Sequence, residues 1–292
     1  MRFAVVSRRS SPTNDRLAAV ACRGVRWQQL TPGRALRLLG PGDVALGRLD
    51  VLPTLDGVDD GLWALGGLEA RGVRVLNPPA ALLAAHDKLL TARLLRRAGL
   101  PHPRTRIVRP GGTLARPAAP AVVKPRFGSW GRNVVRCDDE AALRATLERL
   151  HAEPWFRVQG ALVQELVPPR GYDLRLVVAG RRVVGSISRR AAPGEWRTNV
   201  ALGAVRVPAA PSPAACELAV AAAAAAGTDL VGVDLLPTPE GGWTIVELNG
   251  AVDFTPDYAP GGDVFADASF ELVRAALRCP PPRPRLVAAG SA

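Results

Sequence analysis

The chain has 292 residues, 48% of them apolar and 22% charged, which suits a soluble globular protein of two or three lobes. Its formal charge is +12, yet only two of its 38 basic residues are lysines, Lys88 and Lys124. No apolar run approaches the roughly twenty residues of a membrane span, and the Phe3–Val6 patch is too short for a signal peptide.

In chain order, "RFAVVS" and "VALGRLDVLP" read as strands. "GLWALGGLEARGVRVLNPP" reads as a helix, a stop at Gly72 and another strand. The spacing in "AALLAAHDKLLTARLLRRAGLPHP" predicts one helix, ended by Gly99 and the prolines beyond. "RTRIVR" is a short strand, residues 109–120 a loop, and "AVVKP" and "VVRC" are strands around the turn "RFGSWGRN". "DDEAALRATLERLHA" is a capped helix and "ALVQELVPP" a strand closed by prolines. "YDLRLVVAGRRVVGSISRRA" is two strands joined at Ala179-Gly180, followed by an alanine-rich helix ending at Gly227. "DLVGVDLL" and "WTIVELN" flank the turn "PTPEGG", "DVFADASFELVRAALR" is a last helix, and the tail from 281 to 292 is expected to be disordered. There is no internal repeat.

The cysteines Cys22, Cys137, Cys216 and Cys279 show no CxxC or Cys/His spacing. Neither a zinc site nor a disulfide framework is expected, and a reducing cytoplasm is the default setting. The arginines are dispersed and aromatics make up 5%, which argues against a nucleic-acid tail. Arginine abundance alone reads as compositional bias. Against it, two retained lysines fit either chance or a site that needs a compact ammonium against phosphate.

Paired as a hairpin, the two strands around "PTPEGG" put Asp234 within a residue or two of Glu247. Val246 and Leu248 should then face the core, with Glu247 and Asn249 on the other face. Two carboxylates and an amide oxygen suit a divalent cation that also holds nucleotide phosphates. The same pattern alone equally describes a solvated edge. In "VVKPRFGSWGRNVV", Lys124 enters a turn holding Gly128, Ser129 and Gly131, whose amides could cradle an anion. It is not a P-loop, and Trp130 at its tip could cover phosphates or simply pack. Gln164, Glu165, Leu166 and Val167 end a strand whose backbone suits an adenine edge. Asp173 suits ribose hydroxyls and Arg175 a phosphate, or the two form a surface ion pair. Arg189, Arg190, Arg197 and Asn199 lie near the same sheet.

Taken in order, Asp87-Lys88, Lys124, the glycine loop, Gln164-Glu165, Asp173-x-Arg175, Arg197-x-Asn199, Asp234 and Glu247-x-Asn249 resemble the ATP-grasp superfamily, and within it the RimK-type glutamate and amino-acid ligases. The resemblance spans about residues 76–277. It implies an α/β (α+β) ATP-grasp fold with nucleotide held between two mainly antiparallel sheets. The expected domains are a pre-ATP-grasp domain over 1–85, a small lobe over 86–160 and a large lobe over 161–280. It also implies ATP contacts from Lys88, Lys124, the 127–132 loop, Gln164, residues 165–167 and Asp173. Arg175, Arg197 and Asn199 would lie near the γ-phosphate and acceptor, and Asp234, Glu247 and Asn249 would hold two Mg²⁺ or Mn²⁺ ions.

Three departures stand out. Leu166 replaces the usual aromatic, the loop reads "GSWGRN", and "GAVDFTPDY" follows Asn249 where the acceptor should border. The implied reaction activates a carboxylate as an acyl phosphate and joins it to an amine such as glutamate. The acceptor would be a peptide, carrier protein or small molecule, and a homo-oligomer is left open. Competing readings are a phosphotransferase on the same fold and a non-catalytic basic nucleic-acid-binding protein.

Overall fold

In the computed structural model, residues 1–20, 24–55, 57–112 and 118–278 are described. The expected tail, Cys22, Cys279 and part of the 109–120 loop lie outside them. The first lobe runs β1 (Arg2–Val6), α1 (Pro12–Ala18), β2 (Arg26–Leu30), α2 (Pro32–Leu38), β3 (Val44–Gly47), α3 (Leu62–Ala70) and β4 (Arg74–Leu76). Its sheet is parallel, ordered β2-β1-β3-β4. The near-continuous apolar runs of β1 and β3 fit strands covered on both faces. α4 (Pro79–His86) and α5 (Lys88–Arg97) follow.

The small lobe has β5 (Thr105–Val108), β6 (Ala121–Pro125), β7 (Val135–Cys137), α6 (Glu140–Leu150), α7 (Pro154–Gln159) and β8 (Ala161–Glu165). Its antiparallel order is β5-β8-β6-β7, so β8 pairs here although the sequence reading put residue 161 at the start of the large lobe. The large lobe has β9 (Tyr172–Ala179), β10 (Arg182–Arg190), β11 (Val205–Pro208), α8 (Pro213–Ala226), β12 (Leu230–Pro237), β13 (Trp243–Asn249) and α9 (Val264–Leu277). This sheet is antiparallel, ordered β11-β10-β9-β12-β13.

The expected helix over 80–100 is instead two. Asp87 adopts an extended ψ of 98°, and its carboxylate accepts from the Leu89 and Leu90 amides, capping α5. An aspartate that can bond its own downstream backbone starts a helix better than it continues one. β2 and β11 escaped the sequence reading because "RWQQL" carries little apolar alternation and "VRVP" is only four residues long and ends in a proline. The short helices α1, α2 and α7 begin with a proline after Ser11, Thr31 and Glu153, a start signal that could have been read.

Each face of the large sheet has a different neighbour. Leu174, Leu176, Val178, Val231 and Val233 pack on the alanines of α8 and on Ala84, Ala85 and Leu95. Alanine leaves the α8 backbone free to lie close on the sheet. On the opposite face, Val177, Ala179, Ile187 and Leu230 pack on α9 and on Phe3, Val5, Val44 and Leu46 of the first lobe. Period-two alternation carries this face onward to Arg175, Asp173, Arg189 and Asp234, where apolar cover stops and polar groups begin.

Asn77 ties the first lobe to this sheet. It is fully buried at φ 50°, accepts from the Asp229 (2.7 Å) and Leu230 (3.0 Å) amides, and donates to the Leu230 carbonyl at 2.7 Å. Replacing it leaves buried backbone groups unpaired. Asn77→Ala should lower unfolding stability by about 3 kcal/mol in denaturant titration. A loss below about 1 kcal/mol would show that these bonds do not hold the lobes together.

Candidate active site

A β-bulge decides where the second acidic residue lands. From the turn outward, β12 and β13 pair Pro237 with Trp243 and Leu235 with Ile245, then shift so that Asp234 sits opposite Glu247 and Gly232 opposite Asn249. Val246 is the extra residue. It was expected to face the core, but the bulge turns it into the cleft beside Glu247, while Ile245 and Leu248 fill the core. A second bulge, between Val183 and Gly185, brings Arg189 opposite Asp173.

These strands floor a cleft between the small and large sheets. Among the expected residues, Lys88, Lys124, Gly128, Ser129, Gly131, Gln164, Glu165, Leu166, Val167, Asp173, Arg197, Asn199, Asp234 and Glu247 line it. Trp130 does not: it stands outside at 56% exposure, with the Arg132 guanidinium 4.9 Å over its ring. Arg175 and Asn249 also lie outside this lining. Arg175 sits behind Asp234, and the Asn249 amide oxygen accepts from the Ala251 amide at 3.1 Å.

Charge on the floor is internally matched. The Asp234 carboxylate takes two 2.7 Å bonds from Arg175 and a 2.8 Å bond from Arg189. Burial pushes its carboxyl up, but the two guanidiniums outweigh burial and hold it well below the usual carboxylate range. Arg189 is buried too. Desolvation disfavours its charge, yet Asp234 and Asp173 together raise its pKa. Glu247 pairs with Lys88 at 3.0 Å, and Lys88 also donates to the Gly128 carbonyl at 2.6 Å. One lysine therefore links the glycine loop to the acidic strand.

Two expected contacts are altered by this bonding. Asp173 was read as a ribose ligand, but Arg189 and Thr198 occupy its carboxylate and it is 4% exposed. The Leu166 amide, read as part of an adenine edge, donates to the Pro120 carbonyl at 3.2 Å. Residues missed from sequence include Arg189, Trp196 and Thr198. Arg189 was mentioned only as one of several arginines near the sheet. Counting back from the Gly180 turn pairs Asp173 with Ser188, so without the bulge the ion pair was not visible.

The glycine loop is docked on the large lobe. Arg197 donates to the carbonyls of Gly131 (3.1 Å) and Val134 (3.3 Å) and is held by Glu195, which it keeps ionised down to about pH 2. Gly131 has φ 71°, and a Cβ there would lie 2.6 Å from the Asn199 amide oxygen. Only glycine fits that approach.

Lys124 is 5% exposed and donates to the Gln164 amide oxygen at 2.6 Å. Burial, and then the nearby Lys88, lowers its pKa to about 8, against a partial counter-effect from Glu247. Unfolding restores its ordinary value near 10.5. Between those values the unfolded chain binds more protons, so folding is favoured as pH rises. Relative to Lys124→Met, which lacks this proton, the wild type should gain stability from about pH 8 to about pH 10 in denaturant titrations. A pH-independent difference would place the Lys124 ammonium in water.

The donor set for a metal can be tested on its chemistry. Among the described residues, no three His, Cys, Asp or Glu side chains form a closed site. Two carboxylates opposite one another and an amide oxygen two residues along suit Mg²⁺, which completes its shell with water and phosphate oxygens. The residues fit that ion once Lys88, Arg175 and Arg189 give up part of their hold.

The RimK-like ATP-grasp domain model matches residues 85–258. The glutamate–LysW ligase ArgX of Sulfurisphaera tokodaii is 30% identical over 224 residues, 73% of this chain and 78% of that protein. The tetrahydromethanopterin:α-L-glutamate ligase of Methanosarcina acetivorans is 33% identical over 217 residues, 68% and 67% of the two chains. Among solved structures, the RimK domain ATP-grasp protein of Sphaerobacter thermophilus superposes with a TM-score of 0.65 at 23% identity, covering 94% of this chain and all of that one. The chain belongs to the RimK-like ATP-grasp family and is an ATP-dependent carboxylate–amine ligase.

Proposed function

We propose that the cleft binds ATP with its adenine against Leu166 and Val167 and its phosphates toward Lys88, Lys124 and the 128–131 loop, and that the protein joins an amino acid such as glutamate to a carboxylate acceptor. The observation carrying this is the register that sets Asp234 against Glu247 in the cleft that also takes both lysines of the chain. Asp234, Glu247 and Asn249 would hold two Mg²⁺ ions; Mn²⁺ has the same donor preference. The metal, when bound, draws charge off the β- and γ-phosphate oxygens.

The chain's own residues do the rest. Lys88 and Lys124 neutralise phosphate charge, and Arg197 keeps the loop shut so that water stays out. Asp173, committed to Arg189, serves to aim that guanidinium rather than to hold ribose. Arg189 then faces the transferring phosphoryl group and the acceptor, beside Asn199, while Arg175 acts from behind by holding Asp234. An acceptor carboxylate oxygen attacks the γ-phosphorus, and the bond to the β-phosphate oxygen breaks, releasing ADP. The amine nitrogen attacks the resulting acyl carbon, loses a proton and expels phosphate, leaving an amide.

The acceptor side is closed by the stretch after Asn249. Buried Arg48, at the end of β3, donates to Asn14 (2.5 Å), Asp253 (3.2 Å) and the Ala251 carbonyl (3.4 Å). Thr13 and the Phe254 backbone exchange two further bonds. This junction lies at the carboxyl ends of neighbouring strands β1 and β3, where an open α/β sheet presents ligands. The net charge of +12 favours an acidic acceptor, whether peptide, carrier protein or small molecule. A cytoplasmic setting is the reading that use of ATP supports; no helix among the described residues is long and apolar enough to cross a membrane.

The test is ADP release with Mg²⁺ across a panel of acid–amine pairs, with product mass read beside it. A product lighter than its two precursors by one water is expected; gain of phosphate would make the protein a kinase. Asp234→Asn and Glu247→Gln should each cut ADP release by about a hundredfold or more. No nucleotide binding, and no ADP with any pair, would end the proposal.

A further inference from the structure

His102 lies between α5 and β5, outside the family motifs and outside the cleft lining. Its Nδ1 is 2.8 Å from the Ile245 carbonyl, which can only accept, so Nδ1 carries the proton and Nε2 is left as an acceptor. Burial, and then the Lys124 charge, pushes the ring down to about 4, so it is neutral at physiological pH. Gln164 donates to that Nε2 at 3.2 Å and to Thr105 Oγ1 at 2.8 Å, while Thr105 donates to the Pro103 carbonyl at 2.9 Å. Both amide protons of Gln164 are therefore spent on the His102 side. Its oxygen has one orientation left, and that oxygen accepts from Lys124 at 2.6 Å.

A continuous line of hydrogen bonds runs from the nucleotide lobe to the acidic strand: Lys124 donates to Gln164, Gln164 to His102, and His102 to the Ile245 carbonyl. Ile245 is two residues from Glu247, and its own amide donates to the Pro101 carbonyl at 3.0 Å. Without an acceptor at the His102 position, one Gln164 N–H loses its partner and the amide is held on this side by Thr105 Oγ1 alone. The plane of the amide, and with it the direction in which its oxygen draws Lys124, is then less tightly fixed.

We propose that His102 is a positioning residue which, by fixing the rotamer of Gln164, aims the Lys124 ammonium at the nucleotide phosphates. The inference rests on the reading that Lys124 contacts ATP. A purely structural role would instead act through the bond to Ile245, which ties the two lobes.

Two conservative variants separate these roles. His102→Asn keeps a donor near Nδ1 for Ile245 and loses the acceptor; His102→Gln keeps an acceptor near Nε2 and loses the donor. Calorimetry with Mg²⁺ and the β,γ-imido analogue of ATP should show His102→Ala and His102→Asn binding about tenfold more weakly than wild type, the cost of a lost bond to a charged group. His102→Gln should stay within about threefold of wild type. In a Lys124→Met background, His102→Ala should add nothing, because the two act along one line. Retained affinity in the Asn variant with loss in the Gln variant, or additive effects in the cycle, would overturn the assignment. Absence of binding by wild type, or no change on Lys124→Met, would instead sink the reading of Lys124 as a nucleotide contact.

Discussion

Everything on the cleft floor depends on how buried carboxylates are neutralised. Asp234 lies at 6% exposure, between two arginines that satisfy both of its oxygens. An unpaired charge there would cost several kcal/mol. The pairing compensates the acidic strand pair internally, and Lys88 does the same for Glu247. Under the proposed function, a cation and a triphosphate would exchange partners with these groups, so that no charge is left alone in a dry environment.

How much of this was legible in the sequence varied with local regularity. The acidic strand pair, the lysine strand, the glycine turn and the β9–β10 pair follow from alternation and turn residues, and they fall where those signals put them. What the sequence hid came from two single-residue insertions. The bulge at Val246 moved Glu247 directly against Asp234 and turned Val246 out of the core. The bulge near Val184 moved Arg189 against Asp173 and gave that aspartate a partner no counting scheme would assign. A bulge changes which side chains share a face, yet it leaves almost no compositional trace. The Asp87 helix break was hidden for a different reason: a capping aspartate and a mid-helix aspartate look alike until its carboxylate is seen on the Leu89 and Leu90 amides.

The two lysines illustrate why one cation type survives in an arginine-rich chain. Lys124 is buried and makes a 2.6 Å bond to the Gln164 amide oxygen, a task for a single ammonium rather than a five-donor fork. Lys88 bridges a backbone carbonyl and a carboxylate at 2.6 and 3.0 Å, a task for a tetrahedral point donor on a flexible stem. Elsewhere the chain uses arginine where planarity helps, as in the bidentate pairs on Asp234 and Asp173.

The partition of the cores sets how the lobes are joined. Phe3, Val5, Val44, Leu46 and Leu76 share one cluster with the large sheet and α9, so those two lobes are welded. Val108, Val123, Leu143, Trp155 and Phe156 form a separate cluster wholly within the small sheet and its helices, touched from the first lobe by Leu55. The small sheet therefore meets the rest of the molecule through the chain crossings near 101–104 and 166–170 and through polar bonds such as those from Arg197 to Gly131 and Val134, with no cluster of buried apolar side chains among the described residues shared across that boundary.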